Sequence, residues 1–180
     1  VYAWKKGFNL DDWNNLGKAT VDKALIRYAE VLLTYAEAKF ELEGKMSDED
    51  LNKTINLLRD RVQMPVHLTN EFVKANGLDM RTEIRRERTV ELALEGFRYD
   101  DLIRWKTAET EMPKDILGAK YTVKEWVGSE ASKFNLTADS ILIVEPKAKR
   151  VFDAAKDYLY PVPLNEISLS NNNVTQNPGW

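Results

Sequence analysis

Three glutamates at four-residue spacing, Glu87, Glu91 and Glu95, stand in the run Ile84–Trp105 together with Arg85, Arg86, Arg88, Arg98, Asp100, Asp101 and Arg104. Side chains four apart share one face of a helix. Neighbouring carboxyls there fall within the roughly 5–9.5 Å that separates the acid pair of a glycosidase. One carboxyl would protonate a leaving oxygen while the other attacks or activates water. The surrounding arginines argue against that chemistry, because a guanidinium beside a carboxyl favours the ionised form and spoils a proton donor. The spacing carries a second message. Glu87–Glu91 and Glu91–Glu95 are like-charge pairs, so cations at i,i+3 or on another element must offset them. Arginine suits the task, since its planar fork grips a carboxylate through two parallel bonds. Arg86, Glu87, Arg88, Glu91, Glu95, Arg98, Asp101 and Arg104 are therefore read as a structural charge network, pairing with each other and with an extended tail. No catalytic residue is assigned.

Other chemistries are bounded by what the sequence lacks. There is no cysteine, which removes disulfides, thiol catalysis and cysteine zinc sites. The one histidine, His67, falls on a connecting loop and reads as a surface residue rather than a metal ligand. No HExxH, Glu-x-x-His pair, Asp-rich calcium loop or phosphate-cradling glycine loop occurs, nor a Gly-x-Ser-x-Gly elbow. Neither metal nor cofactor is expected. A net charge of −3 argues against a nucleic-acid partner, which calls for a basic face. No apolar run approaches the ~20 residues of a membrane span.

Binding chemistry has one candidate place. The first twenty residues crowd Tyr2, Trp4, Phe8 and Trp13 among Lys5, Lys6, Asp11, Asp12 and several asparagines. Pyranose rings have apolar faces and hydroxyl edges, which tryptophan beside such polar groups can match. Trp4 and Trp13 are thus the candidate ligand-binding residues. The alternative is that these rings pack on the next helix or on chain lying upstream, as large aromatics are mostly buried. Val1 is not an initiator methionine, and the opening lacks a basic-then-apolar signal pattern. The chain is expected to be a piece of a longer protein.

The elements that must position these residues are mostly helical. At 180 residues a single domain is expected, burying roughly 70% of its unfolded surface. From about Asp22 to Leu42, apolar residues at Leu25, Tyr28, Ala29, Leu32, Tyr35 and Ala36 follow helical spacing. Val31, Leu33, Ala38 and Phe40 widen that face, so two sides should be covered. Asp22 would cap the start and Gly44 the end. Ser47 and Asp50 form a capping box, from which Leu51, Ile55, Leu58 and Val62 step along a second helix closed by Pro65. The two make a hairpin of tetratricopeptide type, though no second copy follows, and one such repeat needs something to stack on. Thr69–Asn76 reads as a short helix ended by Gly77. Asp79 caps a long charged helix, Met80–Glu95, roughly 24 Å at 1.5 Å per residue. Beyond Glu109, Pro113, Gly118 and Gly128 punctuate a loop-rich stretch whose apolar run is Ile141–Val144; short strands or coil are expected. Pro161 and Pro163 force an extended segment near the end. The fold class is mainly α, with an extended, loop-rich C-terminal part.

Three segments, in this order, resemble the SusD/RagB family, the surface glycan-binding lipoproteins of Bacteroidetes nutrient-uptake systems. They are RYAEVLLTYAEA at Arg27–Ala38, RERTVELALEGFR at Arg86–Arg98 running on to DLIRW at Asp101–Trp105, and YLYPVP at Tyr158–Pro163 with QNPGW at Gln176–Trp180. The resemblance covers residues from about 22 to 180. It implies that this is the C-terminal part of a longer, mostly helical protein with several tetratricopeptide-like helix pairs and a lipidated N-terminal cysteine outside this chain. It implies non-catalytic capture of an oligo- or polysaccharide, or of peptides as in some members, at the outer-membrane surface. The captured nutrient would pass to a SusC-like TonB-dependent transporter. The family's ligand residues follow no motif, so none is carried over, and Trp180 stands where many members have tyrosine. The competing expectation is a helical-repeat protein-interaction module without glycan binding.

Overall fold

The computed structural model describes residues 6–7, 9–15, 17, 24–122, 124, 131–171 and 173–180. They fall into two compact units, Asn9–Arg98 and Tyr99–Trp180, the second including Lys6 and Gly7.

In the first unit, a short helix α1 (Leu10–Asn14) precedes α2 (Tyr28–Glu43), α3 (Asp48–Lys53), α4 (Ile55–Arg61), α5 (Asn70–Ala75) and α6 (Met80–Glu91). The core is one contiguous cluster. Ala29, Leu32, Leu33, Ala36 and Phe40 of α2 meet Met46, Leu51, Ile55, Leu58, Leu68, Val73, Met80, Ile84 and Leu92. Local signals set most element ends. Gly44 closes α2 with φ +67 while its N–H donates to the Phe40 carbonyl, the left-handed cap that glycine adopts without a Cβ penalty. Side chains of Ser47, Thr69 and Asp79 accept from Asp50 N, Phe72 N and Thr82 N at the starts of α3, α5 and α6.

Several boundaries differ from the sequence expectation. Asp22 lies outside the described residues, and α2 starts at Tyr28 behind an extended Arg27 whose side chain makes no cap. Leu25, counted in the helical stripe, therefore lies ahead of the helix and is exposed. Only one side of α2 is buried. Tyr28, Val31 and Tyr35 stay exposed, and an open groove of about 380 Å³ runs along Ile26, Glu30, Val31, Thr34, Tyr35 and Ala38. The second hairpin helix is broken at Thr54, which takes φ −129 and ψ −93. Its buried hydroxyl donates to the Asp50 carbonyl at 2.6 Å, a local bond that competes with the helical ladder.

The long charged helix is shorter than expected. It stops at Glu91, roughly 18 Å of rise for its 12 residues. Leu92 turns into the core, Leu94 takes φ +64 and Gly96 φ +93. These left-handed residues fold Glu95 into a turn instead of continuing the face begun by Glu87 and Glu91. Helix α7 (Phe97–Arg104) follows.

In the second unit, α8 (Ala108–Glu111) leads to β1 (Ile116–Lys120), which pairs antiparallel with β2 (Ile141–Glu145). Pairing is irregular: Ile116 opposes Glu145, Leu117 opposes Ile143 and Lys120 opposes Ile141. Gly118 lets the strands close up, since a Cβ there would lie 3.0 Å from Val144 Cγ2. Tyr158 and Leu159 close a turn, residues 160–163 run on outside helix and strand, and α9 (Leu164–Leu169) begins directly after Pro163. No helix among the described residues is long and apolar enough to cross a membrane.

Candidate functional site

The charged run resolves into pairs that join elements far apart in sequence. Arg27, at the start of α2, holds the end of α6. Its Nε and Nη2 donate to Glu95 at 2.6 and 2.7 Å, and its Nη1 donates to Glu91 Oε1 at 2.6 Å. Nη2 also donates to the Glu91 main-chain carbonyl at 2.6 Å, satisfying one of the carbonyls a helix end leaves without a partner. The Arg27 guanidinium is held still more firmly charged than usual, chiefly by the Glu95 hydrogen bond, with partial burial opposing and Glu91 adding to it. Glu91 is shared: Arg61 of α4 donates to its two oxygens at 2.9 and 2.8 Å. One guanidinium from ahead of α2 and one from α4 thus offset the two carboxylates at the end of α6.

Further along α6 the pattern repeats. Arg59 of α4, only 2% exposed, grips Glu87 through Nε and Nη2 and donates from Nη1 to the Val66 carbonyl at 3.0 Å. Arg88 is buried beside Glu37, at 4.0 Å, and donates to Thr34 Oγ1 at 3.2 Å; its guanidinium also lies 5.4 Å from the Phe97 ring centre. Arg81 and Arg85 converge on Glu41 of α2. Within α6, Arg86 pairs with Glu83. Arg98 donates to Thr89 Oγ1 at 2.9 Å. In the second unit, Arg104 donates twice to the buried Asp101, at 3.0 and 2.8 Å, and lies over Trp105.

Chemically, this lattice is a brace. The carboxylates of Glu87, Glu91 and Glu95 all accept guanidinium N–H groups, and their α-helical spacing is not maintained to Glu95. Arg27, Arg59, Arg61, Glu37 and Glu41 were not among the residues assigned to the network from sequence. The like-charge spacing of Glu87 and Glu91 called for cations at i,i+3 or on another element, but no local signal could say which. A second clamp had no sequence signal at all. Asn56, 1% exposed, donates to the Leu68 carbonyl at 3.0 Å and accepts the Leu68 N–H at 2.8 Å, pinning the segment between α4 and α5.

Of the candidate ligand residues, Trp4 lies outside the described residues. Trp13 sits on α1 and is 62% exposed. His67 Nε2 lies 2.6 Å from Asp60 Oδ1. No group of three or more His, Asp or Glu side chains fit to hold a metal occurs among the described residues.

Fold and lattice together define a mainly helical scaffold whose charged residues are engaged with one another. A family model described as SusD family matches residues 1–180, and the chain belongs to that family. It is 29% identical over 170 residues to a SusD-like protein P2 of Formosa agariphila, covering 93% of this chain and 28% of that protein. Among solved structures, it is similar to a SusD-like protein from Bacteroides fragilis, with a TM-score of 0.59 and 29% identity over 86% of this chain and 25% of the other. The chain thus spans about a quarter of the length of these relatives.

Proposed function

We propose that this chain is part of a non-catalytic nutrient-binding protein of the outer-membrane surface. It would capture an oligo- or polysaccharide and deliver it to a SusC-like TonB-dependent transporter, held at the membrane by a lipid anchor outside this sequence. The observation that carries the reading is the SusD family match across residues 1–180. The lattice supports it from the chemical side. Carboxylates gripped by arginines serve rigidity, and a binding lid needs a rigid body more than it needs a free acid pair. Trp13, and Trp4 with it, are proposed to stack on sugar rings; the exposure of Trp13 on its short helix supports that role.

Calorimetric titration against a panel of polysaccharides tests the class. Heat of binding without new reducing ends is the expected result, and steady release of reducing sugar would overturn it. Co-purification with a soluble protein and no glycan binding would favour the interaction module. For the site, the W4A/W13A double variant should migrate through a glycan-containing affinity gel with reduced retention; unchanged retention would remove both residues from the ligand surface.

A further inference from the structure

Leu159 donates its N–H to the Lys156 carbonyl at 3.0 Å, closing a turn, and the chain then runs outside regular structure through Val162. Pro161 has no N–H, and Pro163 denies the next one, so Val162 is the one donor in the Pro-Val-Pro stretch. Prolines so placed keep a segment out of a regular ladder. Partners for this stretch are supplied by three side chains near position 180, those of Gln176, Asn177 and Trp180. Gln176 accepts the Val162 N–H at 2.7 Å and donates back to the Val162 carbonyl at 2.9 Å, so one side-chain amide reproduces the paired bonds of a β-bridge. Asn177 donates to the Tyr160 carbonyl at 2.6 Å. The Trp180 indole N–H donates to the Leu159 carbonyl at 2.9 Å and lies 3.3 Å from that of Lys156.

The approach is close and conformationally specific. Gly179 has φ +83, and a Cβ there would lie 2.6 Å from Lys156 Cβ. The Lys156 ammonium stands 4.6 Å from the Trp180 ring centre, closing the contact from the other side. The target is itself anchored to the rest of the unit by side chains. Lys106 lies 3.9 Å from the Tyr158 ring centre, Phe152 meets Tyr158 edge-on at 4.9 Å, and Tyr160 reaches Tyr99 at 6.5 Å.

We propose that Gln176–Trp180 is a detachable clasp that sets the conformation of Lys156–Val162 through side-chain amides and one indole, and that this segment opens locally when the clasp is removed. A ladder of strand bonds would lose its parts together; a clasp made of separate side chains can be released without unfolding its surroundings. The released segment would present Lys156 and Tyr158, both half-buried in the closed form, to solvent and to proteases.

The test uses the whole chain with Gln176→Ala, which removes both bonds to Val162, and Trp180→Phe, which keeps the ring over Lys156 but deletes the N–H. Peptide-resolved hydrogen exchange and limited proteolysis by trypsin and chymotrypsin read the outcome. Exchange at 158–162, and cleavage at Lys156 or Tyr158, should rise about tenfold or more in Q176A and by less in W180F. Exchange at Leu68, held by Asn56 in the first unit, should not change. Unaltered exchange at 158–162 in both variants overturns the clasp. So does acceleration at 158–162 and Leu68 together, because the loss would then be global rather than local.

Discussion

Arg27→Ala is the most informative single perturbation of the brace. It removes three bonds to the Glu91 and Glu95 carboxylates and one to the Glu91 carbonyl. Two like charges then remain close together at the end of α6, with side chains only 14% and 24% exposed. Removing one partner of a fully buried pair costs about 3–5 kcal/mol, whereas exposed pairs contribute about 0.2–1 kcal/mol. Arg27 is intermediate, 22% exposed, and Arg61 keeps its hold on Glu91. The expected loss is therefore about 2–3 kcal/mol. With a urea slope of about 2 kcal/mol/M, the unfolding midpoint followed by far-UV circular dichroism should fall by about 1–1.5 M. Arg27→Lys should fall between the two, since an ammonium cannot bridge both carboxylates and the carbonyl at once. The cause can be isolated. If the damage comes from uncompensated carboxylates, adding Glu91→Gln and Glu95→Gln to R27A should recover about 1 kcal/mol rather than lose more. A midpoint within about 0.3 M of the parent, or a further loss on neutralising the glutamates, would refute the brace.

Asn56→Ala should cost about 2–4 kcal/mol, because it strands the buried N–H and carbonyl of Leu68, and amide exchange at Leu68 should accelerate. Asp79→Ala should cost about 1 kcal/mol of urea stability through loss of the α6 cap. The Asp79 carboxyl is held below its usual range by the Thr82 N–H first and the Thr82 hydroxyl second. Because its folded value lies below its unfolded one, the contribution is fully present above about pH 4 and disappears as pH falls through the folded value. Asp79→Asn, which caps without titrating, should flatten that part of the acid limb in a pH series of melting curves.

What could be read from the residues alone were features decided within one turn of chain. Gly44, Ser47 and Asp79 cap their helices because a side chain or a left-handed glycine meets a backbone group three or four positions away. The mainly helical class followed from apolar periodicity in the same way, and the three marked segments pointed to the family that the comparisons assign. Boundaries were less legible where a local competitor or a tertiary grip intervened. The Thr54 hydroxyl broke a helix that its apolar spacing ran straight through. The end of α6 fell at Glu91, where Leu92 enters the core and Arg27 takes the terminal carbonyl.

The sequence by itself therefore determined that Glu87, Glu91 and Glu95 needed cations, three residues away or on another element, since like charges at helical spacing repel whatever surrounds them. Only the tertiary structure decided that Arg27, Arg59 and Arg61 supply them, 28 to 68 residues away along the chain. The same holds for Asn56 on Leu68 and Gln176 on Val162. The physical reason is common to all of them. A long-range pair exists only where the packed core brings two distant backbones within hydrogen-bond reach, and residue type at either end records the capacity to bond but not the partner.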